Sequence, residues 1–138
     1  MSLFVRDGVK HRIYKEELKE ESKSIYGGTV CYLDKKPYNV LIASHIKPCI
    51  DCLKEHREDQ AYDVDNGLLL SPTADSYFDK KDISFADDGT VLVGKNVAEA
   101  VRMDFEQMKL DESVLNERRK RYLEYHRRLF ELKNGGKE

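Results

Sequence analysis

Apolar positions along this chain fall into short runs separated by charged stretches. The first tight run is Val40-Leu41-Ile42-Ala43, which delivers Ser44-His45-Ile46-Lys47-Pro48. It is short, apolar and partly β-branched, which predicts a buried strand over residues 40–46. Pro48 ends it, because proline offers no N–H to a ladder. About twenty residues on, Asp65-Asn66-Gly67 opens a second run, Leu68-Leu69-Leu70. Asn-Gly reads as turn chemistry, since both residues tolerate positive φ. Ser71-Pro72 then reads as a helix start, with Ser as N-cap and Pro at the first helical position. The segment that follows carries Asp75 and Asp79, whose i, i+4 spacing places both carboxylates on one helix face. Two like charges there repel unless something cationic lies between them.

The flanks have weaker but readable patterns. Residues 10–24 predict a helix in which Glu16, Glu17, Glu20 and Glu21 alternate with Lys15, Lys19 and Lys23. Such a mixture makes a solvated face with i, i+4 pairs, leaving Ile13, Tyr14 and Leu18 to pack on the centre. His11 and Arg12 are within reach of a phosphate on this reading. Gly27-Gly28 breaks the helix. Residues 29–33 predict a strand, Asp34-Lys35-Lys36-Pro37 its turn, and residues 38–46 the return, with Tyr32 and Tyr38 pairing across it. Residues 54–65 read as a charged connecting loop. Ile83-Ser84-Phe85 and Thr90-Val91-Leu92-Val93 around Ala86-Asp87-Asp88-Gly89 predict a hairpin, with Phe78 and Phe85 in the core. Val97, Val101, Phe105 and Met108 give residues 96–110 a helical stripe. A last helix runs from Asp111 or Ser113 to about Leu132, with Leu115, Tyr122, Tyr125, Leu129 and Leu132 apolar, and Asn134-Gly135-Gly136 ends it.

Composition narrows the class. The chain has 138 residues, 40% hydrophobic and 36% charged, enough for one domain with a modest core. No apolar run approaches the ~20 residues of a membrane span, and residues 1–7 lack the features of a signal peptide. Three cysteines do not make a disulfide framework and suit a reducing compartment, so a cytoplasmic location is expected. The formal net charge of −2 counts against indiscriminate DNA binding, although distribution matters more than the sum. The last helix concentrates Arg118, Arg119, Lys120, Arg121, His126, Arg127 and Arg128. A cluster of that density binds phosphates through counterion release, or is simply a solvated face.

Three segments, in order, resemble the HNH nucleases of the ββα-metal fold, and more closely their restriction-enzyme-associated group. They are Ala43-Ser44-His45-Ile46-Lys47-Pro48, Asn66-Gly67-Leu68-Leu69-Leu70-Ser71-Pro72 and Phe78-Asp79-Lys80-Lys81-Asp82-Ile83-Ser84-Phe85. The resemblance covers roughly residues 25–130. It implies that His45 activates water as general base, that Asn66 pins the His-bearing loop, and that Asp75 and Asp79 are metal ligands. The residue types agree: a near-neutral His takes a proton at physiological pH, and hard carboxylate oxygens suit Mg²⁺ or Mn²⁺. Two departures stand out: Ser44 occupies a position where many relatives place a metal-binding Asp or His, and Asp75 stands where His is frequent. A Cys₃His zinc set can also be written from Cys31, Cys49, Cys52 and His56, with reduced thiols as the other reading.

The expectation is therefore an α+β fold, one domain over residues 1–138. Its ββα-metal core spans about residues 29–93, with an extra β-hairpin and helical flanks at about 10–26 and 96–132. The expected function is metal-dependent hydrolysis of phosphodiester bonds in DNA. Lys47, Arg118, Arg119, Arg121, Arg127 and Arg128 are the expected backbone contacts, with Lys54 and Arg57 as further candidates. Two alternatives remain open: a DNA-binding or interaction module on the same scaffold that does not cut, and a nuclease subunit whose target recognition lies on a partner. The first helix is a candidate dimer contact, and a homodimeric enzyme is the reading set against the partner-dependent subunit.

Overall fold

A computed structural model of the chain describes residues 5–135, so Gly136 lies outside the described residues. Strands β1 (Ile42–His45) and β2 (Gly67–Leu70) pair antiparallel, with Ser44 opposite Leu68 and His45 opposite Gly67. Between them the chain forms α2 (Cys49–Lys54), α3 (Glu58–Ala61) and a 3₁₀ turn, Val64–Asn66. The connecting loop expected over residues 54–65 is thus partly helical; Glu58 and Asp59 sit in the first turn of α3, where the helix dipole favours acids. Helix α4 (Pro72–Asp79) follows β2. Ser71 is its N-cap, its hydroxyl accepting from the Ala74 amide at 3.2 Å, and Pro72 occupies the first turn, as the sequence predicts.

Both faces of this two-stranded sheet are covered, which is why Leu68, Leu69 and Leu70 are all fully buried. Helix α1 (Gly8–Tyr26) and α4 both pack on it. Gly67 meets Tyr14 and Leu18 of α1. Its cross-strand partner His45 stacks on Tyr14, while Ser44, one residue back and so on the opposite face, bonds Asp75 of α4. Gly67 itself is extended, φ −156°, not the positive-φ turn residue expected. Its requirement is space: a Cβ there would run into the Tyr14 hydroxyl.

Helix α1 is opened by Asp7, whose carboxylate accepts from the amides of Val9 and Lys10, and closed by Gly27 at φ +78°. Tyr14, Leu18 and Ser22 form its buried stripe at i, i+4, i+8. Ile13, expected to pack, is one residue off that stripe and exposed.

The expected strand over residues 29–33 does not form. Cys31 uses its own N–H on Lys36 O and its carbonyl on Lys35 N–H, so its backbone groups close a local loop. Only Tyr32 N–H reaches β2, at Leu69 O, 2.7 Å. Tyr32 is buried with its hydroxyl on Glu21 at 2.6 Å, whereas Tyr38 lies at the surface bonded to Asp34, so the two do not pair.

The predicted hairpin is present as β3 (Ile83–Phe85) and β4 (Val91–Val93). Gly89 in its turn has φ +92°, and the Leu110 carbonyl lies where a Cβ would be. Helix α5 (Glu99–Glu106) is shorter than expected and packs on β4. Helix α6 (Glu117–Asn134) starts at Asn116, whose side chain accepts from Arg119 N–H, while residues 112–114 make a separate 3₁₀ turn. Leu132, expected in the apolar stripe, is exposed; Arg119, Leu123, His126 and Phe130 face inward instead. Residues from α1, α5 and α6 share one hydrophobic core with the β1–β2–α4 unit. Among the described residues no helix is long and apolar enough to cross a membrane.

Candidate active site

His45 is the last residue of β1, half-buried beneath α1. Its Nε2 lies 2.6 Å from the carbonyl oxygen of Ala61. A carbonyl only accepts, so Nε2 carries the proton and Nδ1 keeps its lone pair. One face of the ring stacks on Tyr14, with centroids 4.8 Å apart and planes 19° apart. His11 adds a third ring, 5.9 Å from His45. Burial pushes the His45 pKa below its ordinary value; the Ala61 bond opposes this, Arg6 lowers it further and the charge of Asp79 raises it. The imidazole is thus poised neutral.

Asn66 holds the loop that follows. Its Oδ1 accepts from Lys47 N–H at 2.7 Å, and its Nδ2 donates to Lys47 O at 3.1 Å and Gln60 O at 3.0 Å. One fully buried amide therefore fixes both backbone groups of Lys47 and ties them to α3, which also carries the Ala61 carbonyl.

On α4, Asp75 is half-buried and Asp79 exposed. Ser44 Oγ donates to Asp75 Oδ1 at 2.5 Å. Burial raises the Asp75 pKa, the Ser44 bond lowers it, and the charge of Asp79 raises it again. The charge of Asp79 acts on both Asp75 and His45. The donor set fits a divalent cation: two carboxylates one turn apart supply hard oxygen ligands and a repulsion that a cation relieves, and Mg²⁺ characteristically keeps several waters. Among the described residues no three or more His, Cys, Asp or Glu side chains are grouped to hold a metal.

That finding corrects the zinc set. Cys49 and Cys52 lie on α2, Cys31 is buried in its own loop, and His56 is exposed, at φ +59° just beyond α2. Cys52 Sγ instead sits 3.7 Å from Asn66 Nδ2, as packing around the loop pin.

The basic residues divide among three faces of α6. Arg119 is fully buried, not a backbone contact: its five N–H groups bond Gly67 O, Val114 O, Val64 O and both oxygens of Glu21. His126 is also buried, its Nε2 donating to Phe78 O and its Nδ1 accepting from Ser84. Arg127 is engaged with Phe85 O and Asp87, and exposed Arg128 pairs with Glu124. Arg118 and Arg121 instead line an open cavity of about 320 Å³ with Lys47, Arg57, Tyr122 and Tyr125. Lys47 is nearly buried, its Nζ between Glu55 and Gln60 and over the Tyr125 ring, so it presents its charge from the wall of the cavity.

Sequence reasoning misses Tyr14 and Ala61 as partners of His45. It assigns Tyr14 only to packing; the single available signal is its place on the buried stripe, three residues after His11. The Ala61 carbonyl has no side-chain signature.

The chain thus holds a ββα unit with a histidine ending the first strand, an asparagine bonded across the turn between strands, and two carboxylates on the helix. The family comparison points the same way: residues 26–86 match the model of the HNH endonuclease family. A search of the curated proteins finds no match. The matched stretch contains His45, Asn66, Asp75 and Asp79; it takes in only the last residue of α1, Tyr26, and nothing of α6.

Proposed function

We propose that the protein is a metal-dependent endonuclease that hydrolyses phosphodiester bonds in DNA, with His45 as general base. The observation that carries this reading is the bond from His45 Nε2–H to the Ala61 carbonyl, which leaves Nδ1 as the free acceptor. Nδ1 takes a proton from water as the water oxygen bonds to phosphorus, and the bond from phosphorus to the 3′ oxygen breaks. Asn66 keeps the loop after His45 rigid, so the base does not drift from the attacking water. Asp75 and Asp79 would hold the divalent cation, whose chemistry when bound is to offset charge on the scissile phosphate and on the leaving 3′ oxygen. Mg²⁺ or Mn²⁺ suits an all-oxygen donor pair better than Zn²⁺. Lys47, Arg57, Arg118 and Arg121, around one cavity, are the natural seat for the flanking backbone.

One observation favours a second reading, a binding module that does not cut. The Ser44 hydroxyl already occupies one oxygen of Asp75, at a position where the resemblance leads one to expect another ligand.

Supercoiled plasmid incubated with Mg²⁺, Mn²⁺, Zn²⁺ or EDTA separates the two. The expected result is nicking with Mg²⁺ or Mn²⁺, none with EDTA, and a loss of orders of magnitude in His45→Ala with binding retained. Full activity in His45→Ala would remove His45 as the base. Binding without cleavage under every metal would establish the second reading.

A further inference from the structure

We infer that Tyr14, which lies outside the matched family stretch, is a positioning residue that sets the ring plane of His45 and the backbone of Asn66. The inference rests on the nuclease reading for its catalytic meaning, but its geometry stands independently. Tyr14 is fully buried on α1 and reaches three parts of the site at once. Its ring lies face to face with His45 at 4.8 Å. Its hydroxyl donates to the carbonyl of Asn66 at 2.7 Å. The same hydroxyl abuts the Cα of Gly67, the residue across the sheet from His45, closely enough that only glycine fits.

Each contact has a separate physical consequence. The Ala61 bond alone fixes one atom of the His45 ring and leaves the ring free to pivot about it. An aromatic wall within stacking distance removes that freedom, and with it the spread in direction of the Nδ1 lone pair. The Asn66 carbonyl has one other donor, Ile46 N–H at a long 3.4 Å, so without the tyrosine a buried acceptor is poorly satisfied. A phenylalanine would preserve the first effect and lose the second; a leucine would lose both. Simple core filling does not explain a hydroxyl aimed at the loop-pinning residue.

The groups facing His45 from the elements packed around it are Arg6 ahead of α1, His11 on α1 and Asp79 on α4. They are unchanged in the variants below, so a change in His45 behaviour reports Tyr14 alone.

The test uses the full chain carrying Tyr14→Phe or Tyr14→Leu. Unfolding curves establish that each is folded. Imidazole ¹⁵N–¹H spectra read the His45 tautomer and titration, and steady-state cleavage of a duplex with Mg²⁺ reads kcat and KM. In Tyr14→Leu the Nε2–H tautomer that Ala61 sets should persist while the His45 ring signals broaden as the ring pivots, the His45 titration should move up toward its ordinary position, and kcat should fall about a hundredfold with KM unchanged. In Tyr14→Phe the tautomer should persist and kcat should fall about fivefold to tenfold, again with KM unchanged. Wild-type His45 spectra and kcat in a folded Tyr14→Leu would overturn the inference. If the leucine variant does not fold, Tyr14→Phe decides: the stated loss supports the inference, and wild-type kcat overturns it. If the wild type does not cleave at all, the nuclease reading falls, while the spectra still decide whether Tyr14 sets the His45 ring.

Discussion

A histidine becomes a useful base when it is neutral at working pH, keeps one nitrogen free, and is held still. His45 meets the first condition by burial, the second through the Ala61 carbonyl, and the third through Tyr14 and the Asn66 lock. The pH dependence follows with a definite sign. In the proposed mechanism the reactive form is the unprotonated imidazole, and burial moves its pKa below the ordinary 6.5. Cleavage should therefore rise with pH on an acid limb lying below 6.5 and be level through neutrality. A pH–rate profile of kcat/KM checks this; an acid limb centred above 6.5 would assign the titration to another group or the base to another residue. His45, Asn66, Asp75 and Asp79 are legible in the sequence because each sits beside a local signal: a strand end, a turn, a helix cap. Ala61 and Tyr14 are not legible, because what matters about them is contact with His45 across 16 and 31 positions of chain, which only tertiary packing creates.

At the scale of elements, the helices outside the family stretch are structural parts of the site. Arg119 is the clearest case. From α6 it satisfies carbonyls of the 3₁₀ turn before β2, of β2 itself and of the segment before α6, and it pairs with Glu21 on α1. Every guanidinium donor is used, in the planar geometry only arginine offers. Arg119→Ala would leave three buried carbonyls and a partly buried carboxylate without their partner, at a cost of about 3–5 kcal/mol. Arg119→Lys should recover only part of this. Urea unfolding measures both; a loss under about 1 kcal/mol would mean that water replaces the side chain. Composition alone makes Arg119 look like a phosphate contact. The helical period divides the cluster: residues 119, 123, 126 and 130 point inward, whereas 118, 121, 122 and 125 line the cavity. The same periodicity makes α1 readable while misplacing Ile13. The strand expected over residues 29–33 fails for a different reason, since apolar burial there serves a loop whose backbone bonds close on themselves.

For the whole molecule, a net charge of −2 and nucleic-acid binding are compatible because the charges are sorted. The cavity wall carries Lys47, Arg57, Arg118 and Arg121, three of them matched to the carboxylates of Glu55, Asp59 and Asp63. The Arg57–Asp59 pair is exposed and weak, and Arg118 is itself exposed although its partner Asp63 is mostly covered, so a phosphate can reach both guanidinium groups. The proposed backbone path therefore predicts a particular salt response. Removing one phosphate-binding cation should reduce the log–log dependence of DNA affinity on salt by about 0.9. Arg121→Gln and Arg118→Gln should each lower the slope by about that amount. Arg128→Gln, on another side of α6 and paired with Glu124, should leave it unchanged. Fluorescence anisotropy of a labelled duplex with EDTA present, titrated over a range of potassium chloride, reads the slopes without cleavage. Equal effects of all three substitutions would spread the interaction around α6 and dissociate the cavity from the path. An effect of Arg128→Gln alone would move the strand to the opposite side of the helix, away from the loop that Asn66 pins.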